Sequence, residues 1–417
     1  MKNWPLTPAI ELCIFAVDCI NKTAPSTLKK TPYKMIRTSN IRNGSINTSD
    51  VRYATKETFE RWTKRSRPAF GDVILTREAP VGEVGRVTFT EEDNIFLGQR
   101  LFHYRPDSKK TDWNYFAYAL KSKEVQDRIH GKSFGSTVPH IKVGDAENLL
   151  IPTPPLSEQR KIGHILSSYD DLIATNQRRI ALLEEATRLI YREWFVHLRF
   201  PGHESTHIST GIPEGWKSGS AHEFINILSG GTPKTSINNY WDGDIPFFTP
   251  KDSPNCFYTT DTEKSLTSEG LNNCNSRLFP KETIFITARG TVGKTALSGR
   301  PMAMNQSCYA LTPKEGIGNL FLFMAIRENI SRLQKAANGG VFNAIVVDTF
   351  RHIPFLAPKP ELTLAFDDKV RPLFEQILTL IQQNKILAQA RDLLLPKLMS
   401  GQIDVSNIQL PDENVVT

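Results

Sequence analysis

Cysteine is scarce in this 417-residue chain. The five residues Cys13, Cys19, Cys256, Cys274 and Cys308 are odd in number and show no C-x-x-C spacing, which argues against a disulfide framework and against structural zinc. No run of eighteen apolar residues occurs and mean hydropathy is -0.33, so no membrane span is expected. The opening MKNWPLTPAIELCIF lacks the basic, apolar and small-residue order of a secretory signal, and a cytoplasmic location is expected. Catalytic signatures are missing too. The nine histidines show neither H-E-x-x-H nor clustered ligand spacing. Gly293-Lys294-Thr295 imitates the end of a phosphate-binding loop, but Ala288 stands where its first glycine belongs. The following ALSGRPMAMNQ is no helix start, so the helix dipole that grips a phosphate is absent. Asp367-Asp368-Lys369 has the acidic-x-Lys look of a nuclease, yet it opens a long helix, where charges belong to a solvated face. Neither an Asp/Asn-Pro-Pro-aromatic motif nor a glycine-rich S-adenosylmethionine loop occurs. The sequence therefore reads as non-enzymatic, with no metal or cofactor site of its own.

What the chain does have is length enough for two or more cores, a net charge of +7 that favours an anionic partner, and two long helical patterns. The first runs from Ile151 to Phe195, where Ile162, Ile165, Tyr169, Leu172, Asn176, Arg179, Leu183, Ala186, Ile190 and Trp194 recur at steps of three and four. The second runs from Phe366 to Met399 with the stripe Phe366, Val370, Leu373, Ile377, Leu380, Asn384, Leu387, Leu394 and Leu398. The two correspond at a constant shift of 204 residues, and each supplies the seam the other needs.

The correspondence extends through the rest of the chain. Trp4 matches Trp216 and Asn40 matches Asp252 at a shift of 212; GDVILTREAPVGEVG from Gly71 lies over ETIFITARGTVGKTA from Glu282 at 211; Gln99 falls on Gln306. Falling offsets of this kind are what duplication and loop trimming leave behind. Short turn-bounded strand signals such as Asp72 to Thr76 and Thr283 to Thr287, with helical periods over Trp113–Ile129 and Asn319–Lys335, give an α+β fold with a pseudo-two-fold internal repeat. The expected segments are a β-rich domain over 1–155, a helix over 156–200, a second β-rich domain over 201–358, a second helix over 359–401 and a flexible tail over 402–417. The two helices are expected to pair as an antiparallel coiled coil.

The phrases GIPEGW (211–216), GGTP (230–233), YWDGDIPF (240–247), TREAPVGEVG (76–85) and IPTPPLSEQRKI (151–162) resemble the specificity subunit of type I restriction-modification systems, in the family's order and over nearly the whole chain. The resemblance implies two target recognition domains, each reading one half of a bipartite asymmetric DNA site, held apart by the spacer helices. It also implies a complex with two methyltransferase subunits and two restriction/translocase subunits, with S-adenosylmethionine, ATP and Mg2+ on those partners and none in this chain. One departure is visible. PKPELTLAFDDK replaces PPLSEQRKI in the second copy, so the family's Glu158-Gln159 becomes Leu362-Thr363, which bears on whether partners dock alike on both copies.

Basic and amide side chains at turns after strands are the candidate DNA contacts, because Arg and Lys pair with guanine, Asn and Gln with adenine, and spare cations with phosphate. In the first copy these are Arg37, Asn40, Arg42, Arg77, Gln99 and Arg100, with Ser136 and His140 in a hairpin-like turn. In the second they are Lys251, Arg289, Lys294, Asn305 and Gln306, with Asn343 in the equivalent turn. The bland reading makes any of them an ordinary solvated loop residue. Asn176 and Asn384 either fix helix register or face outward, and Trp194 with Phe195 either packs the core or meets a partner. A protein-binding coiled-coil scaffold is the alternative function.

Overall fold

The structure, a computed structural model, describes residues 4–133, 139–338 and 344–410. It divides into two compact units, one formed by residues 1–173 and 386–417 and the other by residues 174–385.

The first unit is built on a four-stranded antiparallel sheet in the order Cys13–Asp18, Leu101–Pro106, Val73–Arg77, Val81–Arg86. Strand alternation sorts its side chains to two faces. Val73, Leu75, Phe102 and Tyr104 face a core capped by the helices Trp113–Lys121 and Lys123–Gly131. Ile74 and Leu101 face a second cluster with Ile36, Ile41 and Leu97. A three-stranded sheet places Lys34–Ile36 between antiparallel Arg52–Tyr53 and parallel Ile95–Leu97. Leu6–Pro8 pairs with Leu150–Pro152 and closes the unit. The helical stretch expected over Trp113–Ile129 is two helices, because Ser122 is extended (ψ 146°) and its hydroxyl bonds back to the Ala119 carbonyl.

The second unit repeats the main sheet and the small sheet of this plan. Its main sheet runs Ile225–Ser229, Cys308–Pro313, Ile284–Thr287, Thr295–Ser298, with Tyr258–Thr259 added at the edge. Trp241–Phe248 lies between antiparallel Lys264–Leu266 and parallel Ala303–Met304. Lys217–Ser220 pairs with Pro354–Ala357, and the helices Asn319–Glu328 and Ile330–Asn338 cover the core. Equivalent backbone bonds recur. The Arg77 carbonyl accepts from Ile141 N–H and that of Ala288 from Ile345 N–H, while Gly98 and Asn305 donate to Ile36 and Phe248.

Two long helices, Leu156–Tyr191 and Pro360–Met399, each contribute to both units. In the first unit Ile162 and Leu166 share the core with Leu398 and Met399, and Asp170 pairs with Arg391. In the second, Phe366 packs edge-on against Trp194 and Phe195, and Asn176 Nδ2 donates to Asn384 Oδ1 at 3.0 Å. Start-to-end contacts of this kind are those of an antiparallel pair. Asn176 is buried and paired across the helices, not outward-facing; Trp194 and Phe195 belong to the core. The seam of the first helix differs from the expected stripe. Leu172 and Arg179 are exposed, whereas Leu166, Ile180, Glu184, Thr187 and Tyr191 are buried. The polar members hid the true stripe: Glu184 accepts from Phe257 N–H and Thr187 donates to the Leu183 carbonyl, so both are inside and satisfied.

Three further expectations change. Asp367 is not on a solvated face but buried, accepting from Leu320 N–H at 3.0 Å and Phe321 N–H at 2.7 Å, and so capping the helix Asn319–Glu328. The first unit supplies the same carboxylate from the other side: Asp112 caps Trp113–Lys121 through Tyr115 N–H, and Gly163 leaves it room. Gly163 and Asp367 are 204 apart, and Gly318 stands where Asp112 stood, so carboxylate and glycine have changed places. Burial pushes both carboxyls above the usual range, opposed by the N–H bonds. Gln159 is likewise interior, accepting from Thr111 Oγ1 and donating to the Pro154 carbonyl, while Thr363 takes its place by accepting from Gly318 N–H. The loss of Glu-Gln in the second copy is thus offset at Gln159 by an internal substitute. Finally, the expected flexible tail packs in part: Val405 is buried in the first unit and Lys161 Nζ bonds the Ser406 carbonyl, while residues 411–417 lie outside the described residues.

Candidate nucleic-acid interface

In each unit the strand that pairs in parallel within the small sheet ends in a loop carrying glutamine. Gln99 follows Ile95–Leu97, and its Oε1 accepts from Thr23 Oγ1 at 3.1 Å. Gln306 follows Ala303–Met304, and its Oε1 accepts from Thr232 Oγ1. In both units a threonine hydroxyl donates to the carboxamide oxygen, which fixes that end of the side chain and turns its NH2 away from the threonine. Around the first glutamine lies a cavity of about 230 Å3 lined by Thr23, Arg37, Ser39, Arg52, Gln99 and Arg100. Arg37 Nε is buried there without a partner, and Arg100 adopts φ 70° with its guanidinium 3.3 Å from Glu78. Three guanidiniums line this recess, and their donors have the chemistry that pairs with phosphate oxygens or with guanine O6 and N7.

The second unit builds the corresponding loop with different chemistry. Position 98 is Asn305 there, with Oδ1 accepting from Ser307 N–H, and Lys264 takes the strand position of Arg52. Lys251 is exposed, 3.9 Å from Glu263. Arg289 and Lys294 are exposed on the turn between Ile284–Thr287 and Thr295–Ser298. That turn leads from strand to strand, so Gly293-Lys294-Thr295 opens no helix.

The remaining candidates separate. Asn40 is corrected: it is buried, its Oδ1 accepts from Arg37 N–H at 2.9 Å, and its Nδ2 donates to the carbonyls of Asn47 and Asp50. Its amide is spent on the loop, as Asp252 is spent on Thr249 and Glu263 in the second unit. Arg77 is half-buried, with Nε donating to the Ile141 carbonyl at 3.1 Å and Nη1 3.9 Å from Asp18, so it holds the sheet to the following segment. Arg42 is exposed, although it bonds the Ile41 carbonyl at 2.8 Å. His140 bridges to Glu78 through the backbone, and Ser136 and Asn343 lie outside the described residues. Sequence reading missed Thr23, Thr232 and Arg52. The only signal for them was their offsets of 209 and 212 onto Thr232 and Lys264, which the gaps between matched blocks concealed.

Beneath the first surface Ser66, His103 and Asp72 form a hydroxyl–imidazole–carboxylate chain, with contacts of 2.9 and 2.6 Å. His103 is wholly buried and Arg105 grips the same carboxylate at 2.8 and 2.9 Å. Burial raises the Asp72 pKa, but Arg105 and His103 outweigh it and hold the carboxyl below its usual range. The arrangement braces the sheet, with its imidazole and carboxylate both buried. Among the described residues no group of three or more His, Cys, Asp or Glu could hold a metal, and no helix is long and apolar enough to cross a membrane.

Comparison with known proteins agrees with this two-fold architecture. The profile of the type I restriction modification DNA specificity domain matches residues 12–185 and again 213–362. The HindI specificity subunit of Haemophilus influenzae is 22% identical over 399 residues, covering 80% of this chain and 86% of its own. The putative MjaX specificity subunit of Methanocaldococcus jannaschii is 24% identical over 396 residues, covering 92% and 90%. Among solved structures, the type I restriction-modification S subunit from M. genitalium superposes with a TM-score of 0.58 at 19% identity, over 95% of this chain and 96% of that one, which concerns the fold. With one profile matched twice and covering most of its length, the chain belongs to the type I restriction-modification DNA specificity family.

Proposed function

We propose that the chain reads a bipartite DNA site, one half through each unit, and presents it to methyltransferase and translocase-nuclease subunits. The observation that carries this reading is the repeated glutamine loop. The same threonine-held Gln99 and Gln306 sit in matched frames, while the neighbours differ, Arg37, Arg52 and Arg100 on one side and Asn305, Lys251 and Lys264 on the other. Like frames with unlike side chains are what two readers of different base sequences require. Arg52, Gln99 and Arg100 act in the first half; Lys251, Asn305 and Gln306 act in the second; Arg289 and Lys294 reach phosphates.

Two equivalent partner contacts fit the helices. Leu182 and Leu189 are 70% and 54% exposed, and their counterparts at a shift of 204, Ile386 and Leu393, are 64% and 68% exposed. A heptad-spaced apolar pair repeated on both copies suits two copies of one partner, the methyltransferase subunit. S-adenosylmethionine, ATP and Mg2+ are then the partners' cofactors. The test is to assemble the chain with its methyltransferase subunit and sequence the methylated sites from a random duplex library. Gln99→Ala with Arg52→Ala should relax one half-site and Gln306→Ala the other; equal relaxation of both halves by either change would refute the reading.

A further inference from the structure

We infer that the two long helices carry a polar code which makes the halves of this chain pair with each other and not with a second copy of themselves. The code lies in contacts that the internal repeat ought to duplicate and does not. With the halves related by a shift of 204, any contact between residue i and residue j+204 has a mate between j and i+204. The buried layer Asn176–Asn384 has as its mate Ile180–Leu380. The first is an amide pair at 3.0 Å; the second is two apolar residues buried in one core. The ion pair Asp170–Arg391 has as its mate Thr187–Phe374. There Thr187 is satisfied by its own helix at 2.9 Å, and Phe374 lies among Phe257, Tyr258 and Phe323.

Homotypic pairing would scramble these layers. Two first halves would set Asn176 against Ile180 twice and leave Asp170 facing Thr187. Two second halves would set Asn384 against Leu380 twice and drive the largely buried Arg391 guanidinium towards the aromatic nest of Phe374. Only the native combination matches amide with amide, carboxylate with guanidinium and apolar with apolar. A buried amide left unpaired shifts such a choice by about tenfold or more, and a polar residue in a helix seam is a known device for partner selection. The other layers, such as Ile162 and Leu166 with Leu398, or Phe366 with Trp194 and Phe195, are apolar on both sides and add a difference of volume only. The polar part of the pairing specificity thus lies in two layers of the seam.

The full-length chain tests this by refolding from denaturant over a range of concentrations, with mass read by light scattering and helicity by circular dichroism. The wild type should refold as a monomer throughout. The all-apolar double variant Asn176→Ile/Asn384→Leu should keep its helicity yet give a helix-exchanged dimer whose share grows with concentration, about tenfold over wild type. A strictly monomeric double variant, or a wild type that dimerises equally, overturns the inference. Oxidative trapping gives a readout that does not depend on stability. In separate full-length variants that keep both polar layers, Ile162→Cys with Leu398→Cys should link within one chain, whereas Ile162→Cys with Trp194→Cys, the residue 204 positions before Leu398, should give no more linked dimer than the wild type. Linked dimers from the second variant would show homotypic pairing and sink the code.

Discussion

The exchanged carboxylates provide a sharp test of the internal repeat. In the second unit Asp367 reaches from the long helix to two N–H groups, of Leu320 and Phe321, at the start of Asn319–Glu328. Asp367→Gly removes the acceptor and leaves both donors buried. A lost cap and an unsatisfied donor together cost about 3 kcal/mol, which for a domain of this size lowers Tm by roughly 6–12 °C. Gly318→Asp alone should also destabilise, since its Cβ would lie 2.6 Å from Asp367 Oδ1 and bring a second carboxylate beside the first. Together the changes recreate the first unit, in which Asp112 caps its own helix and Gly163 makes room. Gly318 already has the extended backbone that an N-cap needs (φ -64°, ψ 140°), close to that of Asp112 (φ -76°, ψ 131°). The double variant should therefore be more stable than the sum of its single changes yet stay below wild type, because a glycine inside a helix costs about 1 kcal/mol and the new Cβ at position 318 still meets the Thr363 carbonyl oxygen at 2.7 Å. Thermal unfolding and hydrogen exchange at Leu320 and Phe321 would measure the four species. A double variant no more stable than the sum of its single changes would refute the equivalence.

Other outcomes follow from the same structure. The depressed Asp72 carboxyl contributes stability that is present above the ordinary carboxylate range and is lost as pH falls through its lowered value. Asp72→Asn should accordingly lower Tm at neutral pH and flatten the acid limb of a Tm-against-pH curve; an unchanged limb would remove Asp72 from the account. Binding of random duplex DNA should weaken steeply with salt, and charge removal at Lys251 or Arg289 should lower the slope of log K against log salt by roughly one each, as filter binding would report. Inserting one heptad after Gln177 and another after Ile381, which is 204 residues on, keeps every layer of the seam. It adds roughly 10 Å to the helices, so the gap in methylated sites should lengthen by up to about three base pairs, and an unchanged gap with intact methylation would show that the helices do not set it.

Much of this was legible in the chain itself. The falling offsets, the 204-residue identity of the two helices and the short turn-bounded strands are local patterns, and local patterns survive in a linear string. They were enough to give the α+β repeat, the helix pairing and the family, and the match of Gln99 with Gln306 placed the centre of each candidate surface. What the string could not give was the fate of individual polar groups. Asn40 looked like a base reader and is an internal brace; Asp367 looked solvated and is a buried cap; Gln159 looked like a docking residue and is a clamp. Glu184 and Thr187 broke the apolar stripe on paper and lie inside the seam in space. A buried polar side chain is admissible only when its donors and acceptors are met, and here the partners come from segments tens of residues away: Leu320 for Asp367, Phe257 for Glu184, Thr111 for Gln159. Periodicity and repetition are properties of the sequence, so the sequence determined the architecture. Satisfaction of polar groups depends on which distant segments meet, and only the tertiary structure decided that.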